Sequence, residues 1–325
     1  MEMSLRLLVA GAIAGWGLCA MPAQAKDEFT LGVVYIDAQV MYSAVKKAVQ
    51  QGAANSGMKI QLIEGNSEGD VSKESALMDR YVSAGVDAIL ISALSIDGSV
   101  RAIQRAQEAG IPVICYNTCI NEADQKKYVT AFVGGDHVDV GIKQGTAVAD
   151  YLKSAGIKEG KIGILNCEFV EACKQRLAGF TKAMDEHFPA YEILTNQEGA
   201  IADRAVTTAT QMINAHPEMN VIYAEAGGGT LGAIRAVRQA GMEGKIAVIG
   251  ADQFKELADE LVKNDVLKAN VDLAGSKYGE GAIKVAIELL NGNKPAERFI
   301  PVAADFYRTP EEAKAWLETH PDGLP

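Results

Sequence analysis

The sequence predicts an α/β protein of two lobes, each built on a doubly wound parallel sheet. Three observations carry that expectation. Five helix-like stretches end in a small residue, a glycine and an aliphatic residue: Ser56-Gly57-Met58, Ala84-Gly85-Val86, Ala109-Gly110-Ile111, Ala155-Gly156-Ile157 and Ala240-Gly241-Met242. A glycine there adopts the left-handed conformation that closes a helix. Each joint leads into a short run that is apolar on both faces (KIQLIEG, DAILISA, PVICYN, KIGILN, KIAVIGAD), as a strand covered on two sides requires. The alternation also yields more strands than one sheet holds comfortably.

The elements follow in order. Residues 30–36 read as a strand and 41–56 as a helix with Val45 and Val49 in register. Strand 58–63, helix 71–84, strand 87–92 and helix 97–109 come next, with Asp97 as the expected N-cap of the last. Strand 112–116 and a strand within 128–135 complete the first half, and Asp136 is placed to cap helix 137–155. The pattern restarts with strand 161–166, helix 172–186, strand 191–195 and helix 203–215, which Asp203 should cap and His216-Pro217 should stop. Strand 220–225, helix 230–240, strand 245–250, helix 254–263, a strand near 267–272 and helices 276–291 and 310–319 finish the chain. The lobe boundary falls near 134–137, with no Pro/Gly/Ser linker, so strands rather than a tether should join the lobes.

Composition narrows the function. The chain has 325 residues, 48% of them hydrophobic, enough for one large domain or two ordinary ones. A net charge of −11 argues against binding to a phosphate backbone. Arg6 precedes a 14-residue apolar stretch and then Ala23-Gln24-Ala25, the small-x-small pattern of a signal-peptidase site, which predicts export and cleavage after Ala25. Four cysteines then remain, Cys115, Cys119, Cys167 and Cys173. Their spacing favours local disulfides 115–119 and 167–173; free thiols or soft metal ligands are the other readings.

Gly227-Gly228-Gly229-Thr230-Leu231-Gly232 matches a dinucleotide fingerprint between a strand and a helix, with Asp252 beyond it. It does not open the first βαβ unit, and an exported chain meets little nicotinamide cofactor, so no cofactor is expected. The four histidines are scattered, and no nucleophile elbow or metal spacing occurs. The better signal is polar residues at strand ends: Asp37 and Gln39, then Tyr42 opening the next helix, Asn117, Asn166, Glu168, Glu225, Asp252 and Asp272. Parallel sheets bind ligands at that rim. Amides and carboxylates there pair with vicinal hydroxyls, and Tyr42, Tyr116 or Phe169 can cover an apolar sugar face.

In these features the chain resembles the periplasmic ribose/galactose-type sugar-binding proteins of ABC importers, the type I periplasmic binding proteins. The resemblance runs over about 29–305 and rests on TLGVVYIDAQVMY, AGVDAILIS, AGIPVICYN, KQRLAGF, LGAIRAVRQAG and IAVIGAD in that order. It implies two lobes joined by a three-segment hinge, crossing near 134–137, 270–274 and 299–303. The lobes are then 26–135 plus 273–300 and 136–272 plus 301–325. The ligand would lie between them and the hinge would close over it.

The resemblance also implies a ligand set. Gln39 and Tyr42 match the polar residues before the first helix, Lys174 the family's cleft arginine, Arg176 the arginine of R-x-x-G-F, Asp252 its late cleft aspartate, and Asp272-Leu273 its final glutamine. The family's Asp-Arg and Asn-Asp pairs are Asn117-Thr118 and Ala226-Gly227 here, which argues against ribose itself. Glu225 and a cysteine pair on each lobe are additions. The expected function is capture of a small hydroxylated solute (sugar, polyol or related) for an ABC permease, by a monomer without catalysis. A ligand-sensing module for a chemotaxis or two-component receptor, and an NAD-dependent oxidoreductase using the glycine run, are the alternatives.

Overall fold

The structure, a computed structural model, describes residues 28–38 and 40–325. The export signal and Gln39 therefore lie outside the described residues.

Two six-stranded sheets form. The first has the order β11-β5-β4-β3-β1-β2, from β1 (Glu28–Tyr35), β2 (Lys59–Asn66), β3 (Ala88–Ile91), β4 (Val113–Asn117), β5 (Ala131–Gly134) and β11 (Phe299–Pro301). All its pairs are parallel. The second has the order β12-β10-β9-β8-β6-β7, from β6 (Gly160–Asn166), β7 (Tyr191–Glu198), β8 (Val221–Ala224), β9 (Ala247–Gly250), β10 (Leu267–Asp272) and β12 (Asp305–Tyr307). Only β12 runs antiparallel there.

Helices cover both faces of each sheet because the strands are apolar on both. In β1, Leu31, Val33 and Tyr35 point into one core and Val34 into the other. α1 (Val40–Asn55) and α10 (Gly275–Leu290) pack together over the first of these cores, and α2 (Val71–Ala84) and α3 (Val100–Glu108) over the second. In the second lobe α5 (His137–Ser154) lies against α6 (Glu171–His187) on one face, and α7 (Ala202–Ala215), α8 (Gly227–Gln239) and α9 (Lys255–Lys263) cover the other. α11 (Pro310–Thr319) docks on α9.

All five joint glycines have positive φ, from 63° at Gly85 to 79° at Gly110. A Cβ at any of them would meet nothing within 4 Å, so conformation rather than space selects glycine. Asp136 caps α5 through Asp139 N–H as expected. Asp97 does not cap α3, which starts three residues later behind Ser99; Asp203 lies inside the first turn of α7. A short helix unforeseen in the sequence, α4 (Glu122–Tyr128), is capped by Asn121 and buries no residue, which explains its missing apolar period. The chain passes between sheets after β5, after β10 and between β11 and β12.

Candidate functional site

At the strands' carboxyl ends a cleft of about 500 Å³, counting its open mouth, separates the lobes. Ile36, Asp37, Tyr42 and Asn117 line it from the first lobe, and Cys167, Phe169, Arg176 and Asp252 from the second.

Asn117 and Asp252 occupy equivalent places. One ends the fourth strand of its sheet and the other lies two residues past the fourth strand of the second. Both have φ 59°, a left-handed conformation that Asn and Asp tolerate. That bend turns each polar side chain away from the strand direction, at the rim of the cleft.

The amide of Asn117 has a fixed orientation. Ala93 O can only accept, so Thr118 donates to it at 2.7 Å. Thr118 then accepts from Ser92 at 2.8 Å, Ser92 from Tyr42 at 3.0 Å, and Tyr42 from Asn117 Nδ2 at 3.1 Å. The relay is buried, and it leaves Asn117 Oδ1 without a partner. Across the cleft, Asp252 Oδ2 accepts the Gly227 N–H at 2.8 Å and Oδ1 is likewise unpartnered. Burial raises the Asp252 carboxyl above its ordinary range, against the opposing pull of Arg176 and the Gly227 amide.

Arg176 supplies the buried cation. Its Nη1 donates to Glu225 O at 2.7 Å and its Nη2 faces His137 Nδ1 at 3.5 Å, while Nε has no partner. A guanidinium only donates, so we assign the His137 proton to Nε2, which donates to Asn117 O at 3.2 Å. His137 thereby ties the first lobe's Asn117 to the second lobe's Arg176. Burial, then the Arg176 charge, push its pKa down to about 3, so the ring stays neutral.

The other expected site residues divide. Lys174 is a correction: it lies on the outer face of α6, more than half exposed, beside Glu171 at 3.5 Å. The inner face of that helix is Ala172, Cys173, Arg176, Gly179 and Phe180, so Arg176 takes the cleft position that the resemblance assigns to Lys174. Asp272 is a second correction, because it does not line the cleft and its oxygens face Ala274 N–H at 2.7 Å and Trp316 Nε1 at 2.8 Å instead. Glu225 sits behind the cleft, where its Oε2 accepts the Cys167 N–H at 2.9 Å; burial pushes its pKa up to about 8, opposed by that bond and by Arg176. Asn166 and Glu168 join Asn196 in a largely exposed network.

Cys115 is bonded to Cys119 and Cys167 to Cys173, each pair with Cα atoms 5.5 Å apart. The first bridge encloses Asn117 and the second encloses Phe169, so each loops one lobe's cleft segment. The glycine run has a packing explanation. A Cβ at Gly228 would overlap Ala200 O, one at Gly232 would overlap Ala205, and the Gly227 N–H is taken by Asp252. His137 escaped sequence reasoning; its only signal was its place directly after the capping Asp136 at a lobe crossing.

A family model described as "Periplasmic binding protein domain" matches residues 31–294. The chain belongs to the periplasmic binding protein family. It is 44% identical over 325 residues, all of this chain and 99% of the relative, to the ABC transporter periplasmic-binding protein YphF of Escherichia coli K12. It is 27% identical to the ribose import binding protein RbsB of Bacillus subtilis over 83% of this chain and 84% of that one. Among solved structures, a galactofuranose-binding protein superposes with TM-score 0.82 at 21% identity, covering 91% of this chain and 99% of the other. A solute-binding protein of Bacillus halodurans with bound myo-inositol gives 0.79 at 22%, covering 91% and 99%. These two carry the two-lobed α/β fold. The chain is thus a solute-binding protein of the ABC-transporter class.

Proposed function

We propose that this protein, exported and cleaved after Ala25, captures one small hydroxylated solute between its lobes and presents it to an ABC permease as a monomer. The lobes so used are 26–135 with 273–300 and 136–272 with 301–325. One observation carries the reading. Two acceptors, Asn117 Oδ1 and Asp252 Oδ1, and one donor, Arg176 Nε, are buried and unpartnered around a single cleft.

A buried polar group without a partner is destabilising by about 1–3 kcal/mol, so three around one cleft mark a place for a ligand. Solute hydroxyls donate to the two oxygens, and a ring or hydroxyl oxygen accepts from Arg176. Tyr42 and Phe169 offer aromatic surface to its apolar face. The names of the relatives, which include ribose import, galactofuranose and myo-inositol, support a ligand among sugars and polyols. The absence of the family's Asp-Arg pair favours a ligand other than ribose.

The test is thermal unfolding against a panel of pentoses, hexoses in both ring forms and cyclitols. A cognate solute at 100 times its Kd should stabilise by about 2.7 kcal/mol. If no member of the panel raises the melting temperature and none co-purifies by native mass spectrometry, the reading fails.

A further inference from the structure

At the floor of the cleft stands a second donor set of different chemistry, two cysteines of the lining and a glutamate behind them. Cys167 follows β6, Cys173 lies in the first turns of α6, and Glu225 follows β8. All three are buried, and their two sulfurs and one carboxylate oxygen lie within 4.8 Å of one another. One Glu225 oxygen is held by the Cys167 amide, while the other has no partner although the residue is wholly buried. The closed disulfide carries no proton to offer it.

Opening the bridge changes this. Two thiolates and a carboxylate are a zinc-type donor set. Bond lengths of about 2.3 Å to sulfur and 2.0–2.2 Å to oxygen put tetrahedral neighbours roughly 3.5–3.8 Å apart. Side-chain rotation covers the difference, and Cα atoms 5.5 Å apart permit it. Both cysteines line the cleft, so the fourth coordination position opens onto it. Arg176, bonded to the Glu225 carbonyl, offsets the excess negative charge.

We propose that the reduced Cys167/Cys173 pair and Glu225 bind a thiophilic divalent cation at the floor of the solute cleft. Reduction by a phosphine balances: the S–S bond breaks, one water supplies two protons to the sulfurs, and its oxygen leaves as phosphine oxide. The cation then displaces both thiol protons and any proton on the Glu225 carboxyl, and these leave to solvent. This site is independent of which solute the oxidised cleft takes.

The experiment uses exported protein carrying Cys115→Ser and Cys119→Ser, so that only the second pair titrates. It is reduced anaerobically with a phosphine, freed of reductant and titrated with Co²⁺. One equivalent should produce a thiolate-to-cobalt charge-transfer band that Zn²⁺ abolishes, and the oxidised protein should produce none. Glu225→Gln should weaken binding about 10- to 100-fold or more, the range for perturbing a metal's supporting groups. Should that variant fail to fold, Glu225→Asp replaces it and keeps the band at intermediate affinity. Absence of the band, equal binding by oxidised protein, a Glu225→Gln affinity equal to the parent's, or loss of native near-ultraviolet dichroism on reduction overturns the proposal.

Discussion

Replacing Asp252 with asparagine separates solute binding from folding at a single atom. Oδ2 accepts the Gly227 N–H and Oδ1 is unpartnered at the cleft. An asparagine must keep its carbonyl oxygen on Gly227, because Nδ2 cannot accept. The amide nitrogen then takes the place of the free oxygen, and an acceptor becomes a donor without change of shape. A hydrogen bond to a charged group contributes about 1.5–3 kcal/mol, so affinity should fall about 10- to 150-fold. Stability should hold or rise. Burial already disfavours the Asp252 carboxylate, an amide avoids that cost, and asparagine suits a φ of 59°. Calorimetric titration with the best solute of the panel, beside thermal unfolding of the free protein, measures both. Binding within threefold of the parent together with a lower melting temperature would refute the reasoning and make Asp252 a structural residue only.

Other substitutions test neighbouring parts of the account. Lys174→Ala should leave solute affinity within twofold and stability within about 0.5 kcal/mol, since the side chain is exposed on the outer face of α6. A tenfold loss of binding would return Lys174 to the site. His137 is held neutral in the fold, with its pKa pushed down from 6.5 to about 3. Its contribution is therefore complete above about pH 6.5 and is lost as pH falls towards 3, at up to ~1.4 kcal/mol per pH unit. The buried carboxyls of Asp252, Glu225 and Asp272 titrate upward and act in the opposite direction, so the difference between parent and His137→Gln isolates the histidine. Urea unfolding at pH 7, 5 and 4 should show a steeper acid loss in the parent, and equal slopes would mean that His137 is not held neutral between Asn117 and Arg176. Gly228→Ala should destabilise by about 1–3 kcal/mol through its overlap with Ala200 O. An unchanged melting temperature would mean that packing does not explain the glycine run.

The fold was legible because its grammar is local. Small-Gly-aliphatic joints require positive φ, doubly apolar runs require two covered faces, and both hold along the chain. Asn117 and Asp252 carried a coarser signal: a polar residue at or just past the carboxyl end of an apolar parallel strand lies near the rim where such sheets bind ligands. What failed depended on angle and partner. Lys174 and Arg176 differ by two residues on one helix, and only packing against Gly141 and Gly145 of α5 decides which face turns inward. Asp272 carries the same strand-end signal as Asp252, yet a tryptophan 44 residues away claims it. His137 matches no motif, because its work is to join the first lobe's Asn117 carbonyl to the second lobe's Arg176 side chain.

The most direct test of the central claim is a crystal structure of the protein with the solute that stabilises it. The account predicts hydroxyl oxygens within about 3 Å of Asn117 Oδ1 and Asp252 Oδ1, and a solute oxygen at the same distance from Arg176 Nε. A solute bound elsewhere, or bound in the cleft with those three atoms facing only water, would contradict it.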